Sequence, residues 1–170
     1  RFKMTESVFV SAAVEGVVDE HVVRRIITHV GGVPGTIYGK SGKAALQRKI
    51  QGYNNAAKHA PWLVLVDLDR DADCAPPLCA AWLSDPAPRL CFRVAVRAVE
   101  AWLLADARTL ASFLSVAYSR MPSDPEQVIE PKYEIVNLAR NSRRREIRED
   151  MVPRAGNGRP VGPAYTGRLV

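Results

Sequence analysis

No stretch of the 170 residues approaches the roughly 20 apolar residues that a bilayer-crossing helix needs, which excludes a transmembrane helix. The opening segment, RFKMTESVFV, lacks a basic region followed by a long apolar one, so no secretory leader is read there. Cysteine is scarce: Cys74, Cys79 and Cys91 are too few, and odd in number, for a disulfide framework. A reducing, cytoplasmic setting is expected. Zinc would need a fourth ligand and a tighter pair than Cys74 and Cys79 supply, so the thiols read as buried apolar groups. Histidine is scarcer in pattern than in number. His21, His29 and His59 are scattered, and His21 and His29 lie two helical turns apart, which suits helix flanks and not one shared ion. Ser11, Ser41, Ser112 and Ser115 carry no nucleophile-elbow pattern, which argues against a serine hydrolase. Trp62, Trp82 and Trp102 sit in apolar settings and read as core, not as base-stacking platforms.

What the chain has in excess is positive charge. Its net charge is +6 and its pI is about 9.5, a balance that favours polyanions such as nucleic acid. Much of the excess lies in ARNSRRREIRED, which gathers Arg140, Arg143, Arg144, Arg145 and Arg148. Glu146, Glu149 and Asp150 neutralise part of it. The cluster is either a solvated helical face or a contact surface for nucleic acid, with Arg143 and Arg144 as candidates.

Strand-like and helix-like segments alternate over the first two thirds of the chain. SVFVSAAV (7–14) reads as a strand ending at Glu15-Gly16. Val18, Val22, Val23, Ile26, Ile27 and Val30 then recur at helical spacing until Gly31-Gly32. A short strand over 35–38 and a helix over 41–58 follow, the latter with Leu46, Ile50, Tyr53 and Ala57 on one face. WLVLV (62–66) is continuously apolar, as in a strand buried on both faces of a parallel sheet. A short helix over 78–83, a fourth strand over 89–96 and a helical stretch after it complete the pattern. In that stretch Val99, Trp102, Leu103, Leu110, Phe113 and Leu114 form the expected core side, and Asp106 is a candidate cap. The expected fold is α/β, Rossmann-like: an open, mostly parallel four-stranded sheet flanked by helices. The domain is placed at 1–118. Residues 119–170, rich in Pro, Gly and Arg with one helix starting near Lys132, read as an irregular extension or clamp without a core of its own.

GTIYGKSGKAAL (35–46) invites comparison with a phosphate loop. The Walker pattern places a glycine five residues before Gly39, and that position is Pro34, which has no N–H to offer an anion. A nucleotide-hydrolase loop is therefore not expected. Lys40 and Lys43, near a helix start, remain candidates to steady a backbone phosphate, with a plain turn and solvated lysines as the alternative.

Two acidic motifs fall at the carboxyl ends of predicted strands, where open α/β sheets bind ligands. Glu15 follows the first; Asp67 and Asp69 follow WLVLV, and strand alternation sends that pair to one side. Clustered carboxylates repel and raise one another's pKa unless a cation screens them. Mg²⁺, or Mn²⁺ in its place, suits such oxygen donors and would support phosphodiester cleavage with water as nucleophile. Asp19, one helical turn after Glu15, could serve a second metal. Asp71 and Asp73 are further candidates, with solvated loop acids as the alternative.

AAVEGVVDE followed by LVLVDLDRDAD resembles the Toprim domain of topoisomerases, bacterial primases, overcoming-lysogenization-defect nucleases and small ribosomal-RNA maturases. The match spans roughly 7–96. GKSGKAALQRKI, VAVRAVEAWLLAD, PKYEIVNL and VPRAGNGRPVGPAYTGRL are further similar to a bacterial Toprim-like family found among mobile and defence-associated genes. The resemblance implies a nuclease in which Glu15 is a metal ligand or general acid/base, Asp67 and Asp69 hold Mg²⁺, and Asp19 serves a second metal. It also implies that Glu100 completes the site, against the plainer reading of an Arg97–Glu100 pair one turn apart. A longer C-terminal helical stretch is expected in that family, so the extension reads as shortened. A topoisomerase would need a tyrosine on a separate large domain, and no segment of that size is present. With no motor in the chain, a partner ATPase is expected. The alternatives are a non-catalytic metal- or nucleic-acid-binding Toprim module acting as a regulatory subunit, and a nucleotide-binding signalling protein using Lys40 and Lys43.

Overall fold

A computed structural model describes residues 7–170. The chain is α/β and divides into two compact units, one ending at Val94 and the other spanning Ala95–Val170.

The first unit is built on four parallel strands: β1 (Phe9–Val14), β2 (Val33–Gly39), β3 (Trp62–Asp67) and β4 (Leu90–Ala95), in the order β2-β1-β3-β4. Helices α1 (Val17–His29), α2 (Lys43–Ala56) and α3 (Ala75–Trp82) connect them. β1 and β3 are the interior strands, and their residues show it. Ala12, Ala13 and Val14 are buried, as are Trp62 through Val66. That continuous apolar run is what a strand covered on both faces requires. From β1 the chain steps to one side for β2, then crosses back to the other side for β3. The crevice between the ends of β1 and β3 is thus the point where the winding reverses.

Gly39 closes β2 in the left-handed region, at φ 90°. A β-carbon there would strike the carbonyl oxygen of Val14, so only glycine lets β2 close against the end of β1. α2 packs Leu46, Ile50 and Tyr53 inward, as the spacing predicts. The same helix buries Asn54, whose amide donates to the Asp85 carbonyl (2.9 Å) and accepts from the Ala87 N–H (2.7 Å). A polar group without water is thereby satisfied, and the loop before β4 is pinned.

The second unit is helical: α4 (Val99–Ala105), α5 (Ala107–Leu114), α6 (Pro131–Arg140), α7 (Arg145–Met151) and α8 (Tyr165–Leu169). Asp106 caps α5 through the Thr109 N–H (3.3 Å). The break at Asp106 changes the helical phase. On α4 itself Val99, Ala101 and Leu104 are buried, whereas Trp102 is 37% exposed, unlike the expected core side. Leu104, Leu110, Leu114, Ile135, Val136, Leu138, Ile147, Met151 and Tyr165 form one apolar core. The expectation of a coreless extension from residue 119 is thereby corrected. The division falls after Val94, because α4 packs on α6, α5 on α4, and all of them share the core with α7.

Candidate functional site at the carboxyl ends of the central strands

Glu15 leaves β1 and Asp67 ends β3, and the fold joins them. The Asp67 N–H donates to Glu15 Oε1 at 2.8 Å. Glu15 is half-buried, and its carboxyl is pushed up to about 7. Loss of hydration is the main cause. The Asp67 amide and the Lys43 ammonium pull the other way, while the charges of Asp69 and Asp19 push it further up.

Asp19 is where helical spacing puts it, in the first turn of α1, and it is buried. Gly16 makes the room: a β-carbon there would lie 2.9 Å from Asp19 Oδ2. The alternation expected to carry Asp67 and Asp69 to one side stops at Asp67, where β3 ends. Asp69 turns into the left-handed region at φ 50°. Its Oδ2 meets Lys43 Nζ at 2.5 Å, and Asp71 Oδ2 meets the same ammonium at 2.8 Å. Lys43 is the first residue of α2, behind Gly42 at φ 83°. Desolvation and the two carboxylates act on it in opposite directions, and the carboxylates prevail, raising its pKa. Lys40 Nζ pairs with Glu20 Oε2 at 2.9 Å. Asp73 is exposed in the loop before α3.

Both lysines first considered for a phosphate thus have carboxylate partners. The sequence signal for Lys43 was present but weak: a lysine opening a helix in a chain whose next strand ends in an aspartate-rich loop. Among the described residues no group of three or more His, Cys, Asp or Glu side chains is disposed to hold a metal ion. A hard cation needs fewer, since Mg²⁺ keeps several waters and takes one or two carboxylates. Glu15 lies within electrostatic reach of Asp69 and Asp19, beside the end of β3 that carries Asp67, and these donors are all oxygen. Glu15 also retains its proton near neutrality, as a carboxyl does when burial and neighbouring carboxylates are not offset by enough positive charge. By donor type, oxygen alone, these residues would suit a hard cation such as Mg²⁺ or Mn²⁺ once Glu15 is ionised.

Glu100 belongs to the second unit, where it is 1% exposed. The Tyr165 hydroxyl donates to its Oε1 at 3.4 Å, and Lys132 Nζ lies 3.6 Å from the same oxygen. Burial, and after it the Glu100 charge, push the Tyr165 phenol up. No sequence spacing joins these three residues. Arg143 and Arg144 are exposed; Arg144 pairs with Glu146 at 2.8 Å, Arg145 with Glu149 at 2.7 Å. Arg148 donates to the Ser142 carbonyl at 2.5 Å, so this arginine serves the fold. Trp62 and Trp82 are core residues, whereas Trp102 borders a cavity of about 250 Å³ with Leu103, Leu110 and Phe113. The three histidines are exposed, and the three cysteines are free, with Cys74 exposed and the others half-buried and not fully enclosed.

Fold and site together define a class: an open parallel α/β protein with an acidic crevice at its switch point. No protein-family model, curated protein or solved structure matches the chain.

Proposed function

We propose that this chain is a divalent-cation-dependent phosphodiesterase acting on DNA or RNA. The observation that carries the proposal is that the Glu15 carboxylate is held by the Asp67 backbone N–H in the crevice, where the ends of β1 and β3 meet. Glu15, Asp67 and Asp69 would hold Mg²⁺ or Mn²⁺, with Asp19 behind them. Bound there, the cation would supply Lewis-acid activation of water and of a phosphoryl oxygen. The Asp67 amide fixes Glu15 through Oε1, which leaves Oε2 to take the proton from an attacking water. In that role Glu15 would accept the proton from water and return it to the leaving oxygen. The net charge of +6 supports a polyanionic substrate, and exposed Arg143 and Arg144 are its proposed contacts. Free cysteines suit a reducing cytoplasm. Toprim membership, a partner ATPase and a role in a defence or mobile-element system belong to the same proposal. They rest on the motif resemblance.

Lys43 favours a second reading. Its pairing with Asp69 and Asp71 gives those acids a structural task, which fits a non-catalytic, regulatory metal- or nucleic-acid-binding module. Nucleic-acid cleavage in Mg²⁺ and in Mn²⁺ separates the two. Under the first reading Glu15→Gln and Asp67→Ala each lower the rate at least a hundredfold, in line with loss of a general base or a ligand. Activity that persists in both variants refutes it, and a wild-type protein that binds metal but cleaves nothing supports the module.

A further inference from the structure

Lys43 stands between the two readings, and its surroundings define a task for it. Its side chain is 19% exposed, whereas those of Asp69 and Asp71 are 55% and 47% exposed. An ammonium that gives up part of its hydration gains from carboxylates in exchange. The carboxylates, reachable by water, do not need the lysine in the same degree. The loop bends through Asp69 in the left-handed region, and two ion pairs tie it to α2. Lys40, three residues earlier, has its own ion pair with Glu20 on α1, so the chain contains a control for the effect of charge alone.

We propose that Lys43 is a tethered counterion of the aspartate loop, and that its ion pairs with Asp69 and Asp71 and the binding of a divalent cation by the crevice exclude one another. The proposal rests on the reading of the crevice as a cation site. It explains why acids so disposed form no ready three-ligand centre: part of the set is committed to an internal cation until an external one competes for it. Two positive centres cannot share Asp69 without strong mutual repulsion, so each weakens the hold of the other.

Titration of the full chain with Mn²⁺, followed by calorimetry, tests this. Lys43→Met keeps the length of the side chain and removes the charge; it should bind Mn²⁺ on the order of tenfold tighter than the wild type. Lys40→Met should stay within about twofold, since its partner Glu20 is outside the donor set. In parallel, nitrogen-15 spectra of the lysine ammonium groups in the wild type should show Lys43 protected from solvent without Mg²⁺ and exchanging rapidly at saturating Mg²⁺. The proposal is overturned if Lys43→Met binds no tighter, if Lys40→Met tightens equally, or if neither protein binds Mn²⁺. Should Lys43→Met not fold, a Lys43 ammonium signal that Mg²⁺ leaves unchanged overturns it. Cleavage plays no part in these measurements. A protein that behaves as described yet cuts no nucleic acid retains the counterion and loses the phosphodiesterase; the converse result loses the counterion alone.

Discussion

A carboxyl group stripped of water on folding holds its proton longer than it does in the unfolded chain, and Glu15 holds it to about pH 7 against an ordinary 4.5. Between those values the folded state binds more protons than the unfolded one. Stability from this group is therefore fully present below about pH 4.5 and is lost as pH rises through 7. Gln at this position keeps an oxygen to accept the Asp67 N–H and never ionises. Glu15→Gln should accordingly raise the melting temperature by a few degrees at pH 8 and leave it unchanged near pH 4. Thermal denaturation across that range checks the sign. A variant that melts lower than the wild type at pH 8 would mean that the ionised carboxylate is stabilised by groups stronger than the burial opposing it. The test needs no metal, and chelator in the buffer keeps trace cations from reversing it.

Elements with strong periodicity were legible from sequence, and those made by partners distant in the chain were not. Strands β1, β3 and β4 follow from apolar runs of the right length. The approach of Glu15 to Asp67 follows from where two such runs end. Lys43 was legible as a helix-opening lysine, yet its commitment to Asp69 and Asp71 depends on a left-handed turn at Asp69 that no spacing announces. The core of the second unit was missed for a related reason. Part of it comes from short segments, α7 of seven residues and α8 of five, too brief for a helical period to declare itself among Pro, Gly and Arg. α7 makes the point testable. Ile147 is fully buried between charged neighbours, in the core that also holds Ile135 and Met151. Ile147→Ala should lower unfolding free energy by about 2–5 kcal/mol, a core-sized loss. Denaturant titration would show a change below about 0.5 kcal/mol if this segment were the solvated clamp that its composition suggests.

Charge is a property of the whole molecule, but its distribution decides which residues face a polyanion. Of the +6 excess, several arginines are already spent: Arg144 on Glu146, Arg145 on Glu149, Arg168 on Asp150 and Arg148 on a backbone carbonyl. Arg143 is exposed, and among the described residues its side chain makes no ion pair. A cation without a protein partner loses nothing when it neutralises a phosphate, whereas Arg145 must first give up Glu149. Each phosphate neutralised releases condensed counterions, and the logarithm of affinity then falls with the logarithm of salt by about 0.9 per contact on duplex DNA. Arg143→Ala should therefore weaken duplex binding and make the salt slope shallower by about one contact. Arg145→Ala should change both much less, because its charge is already balanced in the free protein. Fluorescence anisotropy with a labelled duplex at four or five salt concentrations gives both slopes. Equal slopes for the wild type and Arg143→Ala would remove this arginine from the interface, and a large effect from Arg145→Ala alone would move the contact surface to the outer face of α7.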